Sequence, residues 1–254
     1  MPPKNTNKDT RRLAKAIADA GVCSRREAER LIAAGRVTLN GQRQTSPAIN
    51  VAQTDAVMLD GRPLNWTDKT RRVFAYNKPA GVICAARDPQ QRPTVFDTLP
   101  KNTPRLVLVG RLDLNSEGLL LLTNDGAFAG KLMHPKHHLA RVYKVRFRGD
   151  LTRDICEQMA QGPDVDGVKY QSVTVRPQKQ TTDGTNQWAE VTLREGKNRE
   201  IRNVFEHFGL QVNRLIRTAY GEITLGDLGT KALRELTPEE VSTLAKQVKA
   251  GKNG

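Results

Sequence analysis

Asp113 stands where a carboxylate can do chemistry. It lies in Gly110-Arg111-Leu112-Asp113-Leu114-Asn115-Ser116-Glu117-Gly118, between the apolar runs Leu106–Val109 and Leu119–Leu122. Two short, continuously apolar runs with Gly and Asn between them read as buried strands joined by a turn. The acid therefore sits at the edge of a core, two residues from Arg111. A carboxylate there stays ionised only with a cationic or hydrogen-bonding partner, so it is either a poised reactive group or half of a structural ion pair. Taken alone, the ion pair is the commoner case. Two further segments carry polar groups that a core does not need: Tyr143 among its basic neighbours, and the run Arg194-Glu195-Gly196-Lys197-Asn198-Arg199-Glu200-Ile201-Arg202. On a helix, Arg199 and Arg202 are three apart and share a face, so one can point at Asp113 while the other meets phosphate. No Ser/His/Asp order, Walker loop or dinucleotide glycine fingerprint competes with this set.

These residues need elements to position them. Arg11 to Ala20 puts Leu13, Ala14, Ile17 and Ala18 on one helical face and stops at Gly21. Ser24-Arg25-Arg26-Glu27 has capping-box spacing and opens a second helix that buries Ala28, Leu31 and Ile32 and closes at Gly35. Arg36–Leu39 alternates like a strand and meets Asn40-Gly41, a hairpin turn repeated at Asp60-Gly61 after Val57 and Leu59. From Val73 a strand runs into Lys78-Pro79-Ala80-Gly81, and Asp125-Gly126 starts a helix carrying Phe128, Leu132 and Met133. Strands with period two follow at 142–147 and 173–175, then at Trp188–Leu193 and from Val212 to Ala219. Helices are expected over Thr152–Gln161 and from an Asn198 cap through Ile201, Val204, Phe205 and Phe208 to Gly209. Strands dominate and rarely alternate with helices, which predicts an α+β fold: a small helix-and-sheet unit, then a mixed, largely antiparallel sheet.

The chain of 254 residues carries a formal charge of +14, which points to a polyanionic partner. Residues 1–72 hold fourteen Lys/Arg against seven Asp/Glu, half of the whole excess on little more than a quarter of the chain. Lys15, Arg25, Arg26 and Arg30 fall away from the apolar helix faces; a solvated surface would look the same, but the concentration in so small a unit favours a phosphate-binding face. No apolar stretch approaches the roughly 20 residues that span a bilayer, and no secretory signal opens the chain, so a cytoplasmic protein with no membrane partner is expected. Cys23, Cys84 and Cys156 are scattered, without C-x-x-C spacing, and His134, His137 and His138 lack a helical ligand register. Neither a disulfide framework nor a metal site is expected. The organisation expected is a disordered basic arm over 1–10, a small basic unit over 11–68, a larger unit over 72–236, and a short amphipathic stretch with a basic tail over 237–254.

Arg12 to Gly41 resembles the RNA-binding domain named after the fourth small-subunit ribosomal protein, the S-four domain. By itself that resemblance implies only binding to structured RNA. Gly-Arg-Leu-Asp…Gly-Leu-Leu-Leu-Leu-Thr-Asn-Asp-Gly and Glu-Gly-Lys-Asn-Arg-Glu-Ile-Arg…Arg-Leu-Ile-Arg…Tyr-Gly, in that order, resemble the Rsu/Rlu family of ribosomal-RNA pseudouridine synthases. The resemblance runs from the first helix to about Leu236. The Asn-Arg-Glu wording is most like the RluB branch, which modifies large-subunit RNA; only the polar segment Lys179 to Asn186 departs freely from the pattern.

The resemblance implies a cofactor-free isomerisation of uridine to pseudouridine by a monomer whose partner is ribosomal RNA, naked or in a large-subunit assembly intermediate. It implies that Asp113 is the essential aspartate, attacking either the uracil ring or the anomeric carbon. Tyr143 would pack on the target base and assist the late proton transfer. Arg202 would pair with the aspartate, Arg111 would hold the RNA with its uridine turned outward, and Ile201 would line the pocket. Lys197 and Arg199 are taken as RNA-binding residues beside it. The chemistry agrees: an internal isomerisation asks for a carboxylate rather than an energy source. Three alternatives stay open at this level: the same chemistry on small-subunit RNA, a non-catalytic ribosome-assembly factor, and a binder of anionic membranes, which fails if liposomes do not compete with RNA.

Overall fold

The computed structural model describes residues 10–65, 70–178 and 186–250. Residues 1–9 of the expected arm, and all of the polar segment 179–186 except Asn186, lie outside them. The chain divides into two compact units, residues 1–71 and 72–254, each with its own core.

The first unit runs β1 (Arg11–Arg12), α1 (Leu13–Asp19), α2 (Arg25–Ala33), β2 (Val37–Leu39), β3 (Gln42–Gln44), β4 (Asn50–Val51), β5 (Val57–Leu59) and β6 (Arg62–Pro63). The two helices bury Leu13, Ile17, Ala28 and Ile32 against Val37, Val51 and Val57. Ser24 Oγ accepts the Glu27 N–H at 3.1 Å, the serine half of the expected capping box, while the Glu27 carboxylate faces Arg30 at 3.2 Å. Both hairpins turn as their residues require, with φ of 51° and 81° at Asn40 and Gly41 and 50° and 77° at Asp60 and Gly61. One boundary differs from expectation. Arg11 and Arg12 are not helical but pair with Val51 and Asn50. A strand ladder satisfies backbone groups that a first helical turn leaves without intrahelical partners.

The second unit runs β7 (Val73–Lys78), β8 (Val107–Val109), β9 (Ser116–Thr123), α3 (Gly126–Met133), β10 (Arg141–Arg148), α4 (Arg153–Gln161), β11 (Asp164–Val165), β12 (Val168–Lys169), β13 (Thr174–Pro177), β14 (Asn186–Leu193), α5 (Glu200–His207), β15 (Gln211–Tyr220), β16 (Ile223–Thr224), β17 (Leu233–Glu235) and α6 (Pro238–Ala250). Among the described residues, nine strands make one sheet in the order β13-β14-β10-β15-β9-β7-β17, with β8 on β9 and β16 on β15. All its pairings are antiparallel except β15 with β9.

The two halves of this sheet differ. β7 and β9 are covered on both faces: Phe74, Tyr76, Leu120 and Leu122 enter one core, Val73, Ala75, Leu119 and Leu121 the other. That is why the four leucines run without polar alternation. On β10 and β14 only one face is apolar. Tyr143, Val145 and Phe147 point inward with Ala189, Val191 and Leu193, while Lys144, Arg146 and Arg148 are exposed. The stretch from Pro238 forms α6, whose Leu244 and Val248 join the second core.

Helix starts follow their caps. Asp125 Oδ1 accepts the N–H groups of Ala127 and Phe128, both at 2.9 Å, and Thr152 caps α4 at Ile155. The expected Asn198 cap is corrected. The N-cap of α5 is Arg199, in the left-handed region at φ 51°. The reason is local: the Glu200 carboxyl takes the Lys197 N–H at 2.9 Å, so the chain turns sharply through Arg199 before the helix begins. Arg199 therefore precedes α5, and the helical face it was expected to share with Arg202 does not exist.

Candidate active site

The turn between β8 and β9 carries Asp113, and it is wrapped around a buried cation. Lys78 ends β7 with no exposed surface, and its Nζ donates to the carbonyls of Pro79 (3.0 Å), Asp113 (3.1 Å), Leu114 (3.3 Å) and Ser116 (2.8 Å). The Ser116 N–H donates to the Asp113 carbonyl at 3.0 Å and the Gly81 N–H to that of Leu114 at 2.8 Å, so the loop is cross-braced. Leu112 is buried beneath it and donates its N–H to Cys84 Sγ at 3.3 Å. Burial pushes the Lys78 ammonium below the usual lysine range, opposed by Cys84 and Asp113 nearby; burial pushes the Cys84 thiol up.

The loop leaves the Asp113 side chain half-buried in a cleft of about 450 Å³. Tyr143, Ile201 and Leu215 form apolar parts of its wall, and Arg217 lies among them. Arg217 is 2% exposed. Its Nε donates to the Leu119 carbonyl at 2.7 Å, its guanidinium lies 5.2 Å from the Tyr220 ring centre, and its buried Nη2 has no hydrogen-bond partner among the described residues. β15 reaches this position by running parallel to β9, with Arg217 opposite Gly118. At φ +96°, a Cβ on Gly118 would lie 2.3 Å from the Arg217 carbonyl oxygen, so only glycine lets the strands meet there.

The residues expected from sequence are partly gathered. Asp113, Tyr143, Ile201, Arg111, Lys197 and Arg199 all line the cleft. Arg111 and Arg199 are exposed on its rim, with no carboxylate within 4 Å among the described residues. Lys197 is held instead: its Nζ is 2.5 Å from Glu195 and donates to the Lys169 carbonyl at 2.8 Å. Arg202 stands behind the lining, one turn into α5, and makes no ion pair with Asp113 within 4 Å. Its Nη1 donates to the Val212 carbonyl at 3.0 Å, tying α5 to β15, while its Nε is buried without a hydrogen-bond partner among the described residues. Burial and neighbouring Arg199 lower its pKa, and Asp113 opposes them through space. In the first unit Lys15 is half-buried on α1; Arg25, Arg26 and Arg30 are exposed on α2, Arg25 and Arg30 beside Glu29 (3.9 Å) and Glu27 (3.2 Å).

Three groups escaped the sequence reading. Lys78 and Arg217 are charges placed in apolar strand registers; the signal for Arg217 was its inward place in the period of β15, two beyond Leu215. The third is an acid pair. Glu195 and Glu200 are 8% and 3% exposed, and burial together with Glu195 raises the Glu200 carboxyl to about 7. Glu195 accepts the Gln171 N–H at 2.6 Å and faces Lys197, so the pair braces the 195–201 wall of the cleft. Among the described residues no group of three or more His, Cys, Asp or Glu side chains is gathered for a metal ion. His134 accepts the Lys136 N–H at 3.3 Å and meets His137 edge-on at 5.9 Å. No helix among the described residues is long and apolar enough to cross a membrane.

This geometry can be set beside known proteins. Residues 72–207 match the RNA pseudouridylate synthase family and residues 11–57 the S4 domain. A relative from Rickettsia bellii called an uncharacterized RNA pseudouridine synthase is 46% identical over 226 residues, covering 89% of this chain and 96% of that protein. The ribosomal large subunit pseudouridine synthase B of Yersinia pestis is 42% identical over 252 residues, covering 92% and 79% respectively. A crystal structure of a pseudouridylate synthase superposes with a TM-score of 0.64 at 27% identity, covering 92% of this chain and 99% of the other. With these matches along its length, the chain is a member of the RNA pseudouridylate synthase family, with an S4 domain preceding the pseudouridylate synthase unit.

Proposed function

We propose that the protein isomerises a uridine of large-subunit ribosomal RNA to pseudouridine, with Asp113 as the catalytic carboxylate and no cofactor. The observation that carries this reading is the Asp113 side chain itself, presented to a cleft by a loop that is braced through its backbone alone. A structural ion pair would have a partner on that carboxyl; among the described residues it accepts no hydrogen bond and has no cation within 4 Å. Relatives called large-subunit pseudouridine synthases, from Yersinia pestis and Pseudomonas aeruginosa, match along 92% and 93% of this chain and support the choice of RNA.

In this reading Asp113 attacks the uracil ring or the anomeric carbon and the N-glycosidic bond breaks; the base turns, its C5 bonds to the anomeric carbon, the bond to Asp113 breaks, and C5 gives up a proton while N1 takes one up. Nothing is added or removed overall, so no oxidant, energy source or group carrier is required. The uridine must leave its stack, at a cost of a few kcal/mol. Packing against Tyr143 recovers about 1–3 kcal/mol of that. Arg111 and Arg199 on the rim meet phosphates, with Lys15, Arg25, Arg26 and Arg30 of the first unit contacting RNA elsewhere. Arg202 acts as a positioning residue that biases Asp113 through space. Binding through so many cations weakens steeply with salt.

The test is pseudouridine mapping on large- and small-subunit ribosomal RNA and on partly assembled subunits, with wild type and Asp113→Asn. A new pseudouridine in large-subunit RNA with wild type alone is the expected result. Modification confined to small-subunit RNA would move the substrate. None on any form would leave an RNA-binding assembly factor.

A further inference from the structure

The inward face of β10 supplies Tyr143 to the cleft; the outward face of the same strand carries Lys144, Arg146 and Arg148 in successive outward positions, all exposed. The register places Arg146 between Trp188 on β14 and Arg214 on β15, and Lys144 between Glu190 and Ile216, with Arg176 of β13 opposite Glu190. Five cations on four strands thus share this side of the sheet with two acids, Glu190 on β14 and Glu117 on the neighbouring β9. Both acids are engaged: Glu190 lies 3.7 Å from Arg176, and Glu117 receives Arg214 at 2.7 and 2.8 Å. Lys144, Arg146 and Arg148 have no carboxylate within 4 Å among the described residues. The helices on this side of the sheet, α3 and α6, contribute to the core over β8, β9 and β7, and leave β10 and β14 uncovered. At its centre is the half-buried Trp188, with Lys144 Nζ 4.8 Å from its ring centre.

A solubility surface needs charge of either sign and no aromatic. This patch has unpaired charge of one sign around an indole, on antiparallel strands. Sheets bind single-stranded RNA with that combination, cations tracking phosphates while aromatics stack bases. We propose that the outer face of β13-β14-β10-β15 is a second RNA-binding surface, which takes a single-stranded stretch of the substrate lying outside the modified nucleotide. Lys144, Arg146 and Arg148 meet successive phosphates, and Trp188 stacks a base. The proposal rests on the RNA-modifying role argued above and assigns a separate surface for it: the nucleotide in the cleft and the stretch on this face bind opposite sides of one strand.

The 254-residue chain has two tryptophans, so Trp66→Phe leaves Trp188 as the sole indole reporter. Its fluorescence is followed during titration with a short oligouridylate and with substrate RNA across a salt series, in proteins with and without Lys144→Gln/Arg146→Gln/Arg148→Gln. Quenching of Trp188 by oligouridylate is expected, and the triple variant loses it while keeping the wild-type circular dichroism spectrum. Its affinity for long substrate RNA falls about tenfold or more, and the slope of log K against log salt falls by about 2, as three lost phosphate contacts require. Single-turnover modification at saturating RNA stays at the wild-type rate. Unchanged quenching, affinity and salt slope in the triple variant would overturn the proposal. So would equal quenching by polyglutamate that competes with RNA, which would make the face a site for an acidic protein. If wild type modifies no RNA yet Trp188 is still quenched and the triple variant still loses binding, the catalytic reading fails and this surface stands.

Discussion

At the scale of single residues, the site keeps cations close to Asp113 without pairing them to it. Lys78 spends its ammonium on four carbonyls, Arg217 spends Nε on Leu119, and Arg202 spends Nη1 on Val212. A buried charge with no opposite charge costs several kcal/mol unless dipoles solvate it, and the loop carbonyls do this for Lys78. The same carbonyls fix the loop that presents Asp113. The Glu195–Glu200 pair is the complementary case, two acids buried side by side. Raised to about 7 in the fold against a usual value of 4.5, Glu200 holds a proton that the unfolded chain releases earlier. Its stabilising contribution is therefore full below about pH 4.5, falls as pH rises through the folded value, and is gone above it. The loss is no more than about 3 kcal/mol. Thermal melts from pH 5 to 8.5 should show wild type losing stability relative to Glu200→Gln, which keeps the neutral form; parallel profiles would mean that the Glu200 carboxyl is not raised in the fold.

At the scale of elements, the parallel seam between β9 and β15 decides where the chemistry sits. It brings Gly118 against Arg217 and sets Arg217 across from Tyr143 on the next strand. Gly118→Ala meets both a left-handed φ and backbone at 2.3 Å, so it should cost about 2–4 kcal/mol in urea unfolding and lower turnover by splaying the seam. Gly41→Ala, with φ +81° but open space, should cost only about 1 kcal/mol. Equal costs would refute the seam argument. Most elements were legible because local chemistry fixes them. Asn40-Gly41 and Asp60-Gly61 make turns, Ser24, Asp125 and Thr152 cap helices, and the alternation over Val142–Phe147 marks a sheet with one face exposed. The misread boundaries are those set by distant partners: β1 is a strand because Asn50 and Val51 pair with it, and α5 starts late because Glu200 reaches back to Lys197.

At the scale of the whole molecule, the core of the first unit shares no residue with the two cores of the second, which implies two folding units. Residues 72–254 alone should keep their circular dichroism and a cooperative melt while losing affinity for ribosomal RNA and part of its salt dependence. An unfolded fragment would show that its cores need the first unit. The RNA-binding class was legible without any fold, because charge and motif order are properties of the chain: +14 overall, a basic first unit, and two signature segments in sequence. So was Asp113, since the apolar runs on either side leave it nowhere but the turn. The surroundings of that acid were not legible. Lys78, Arg217 and Glu200 lie 35 or more residues from Asp113 along the chain, and each owes its burial to strands and helices that meet only in the folded sheet. Local sequence determined which residues could react and which elements would carry them. Long-range packing decided which charges surround the acid and which face of β10 is left to solvent, because burial and field depend on neighbours that sequence distance does not order.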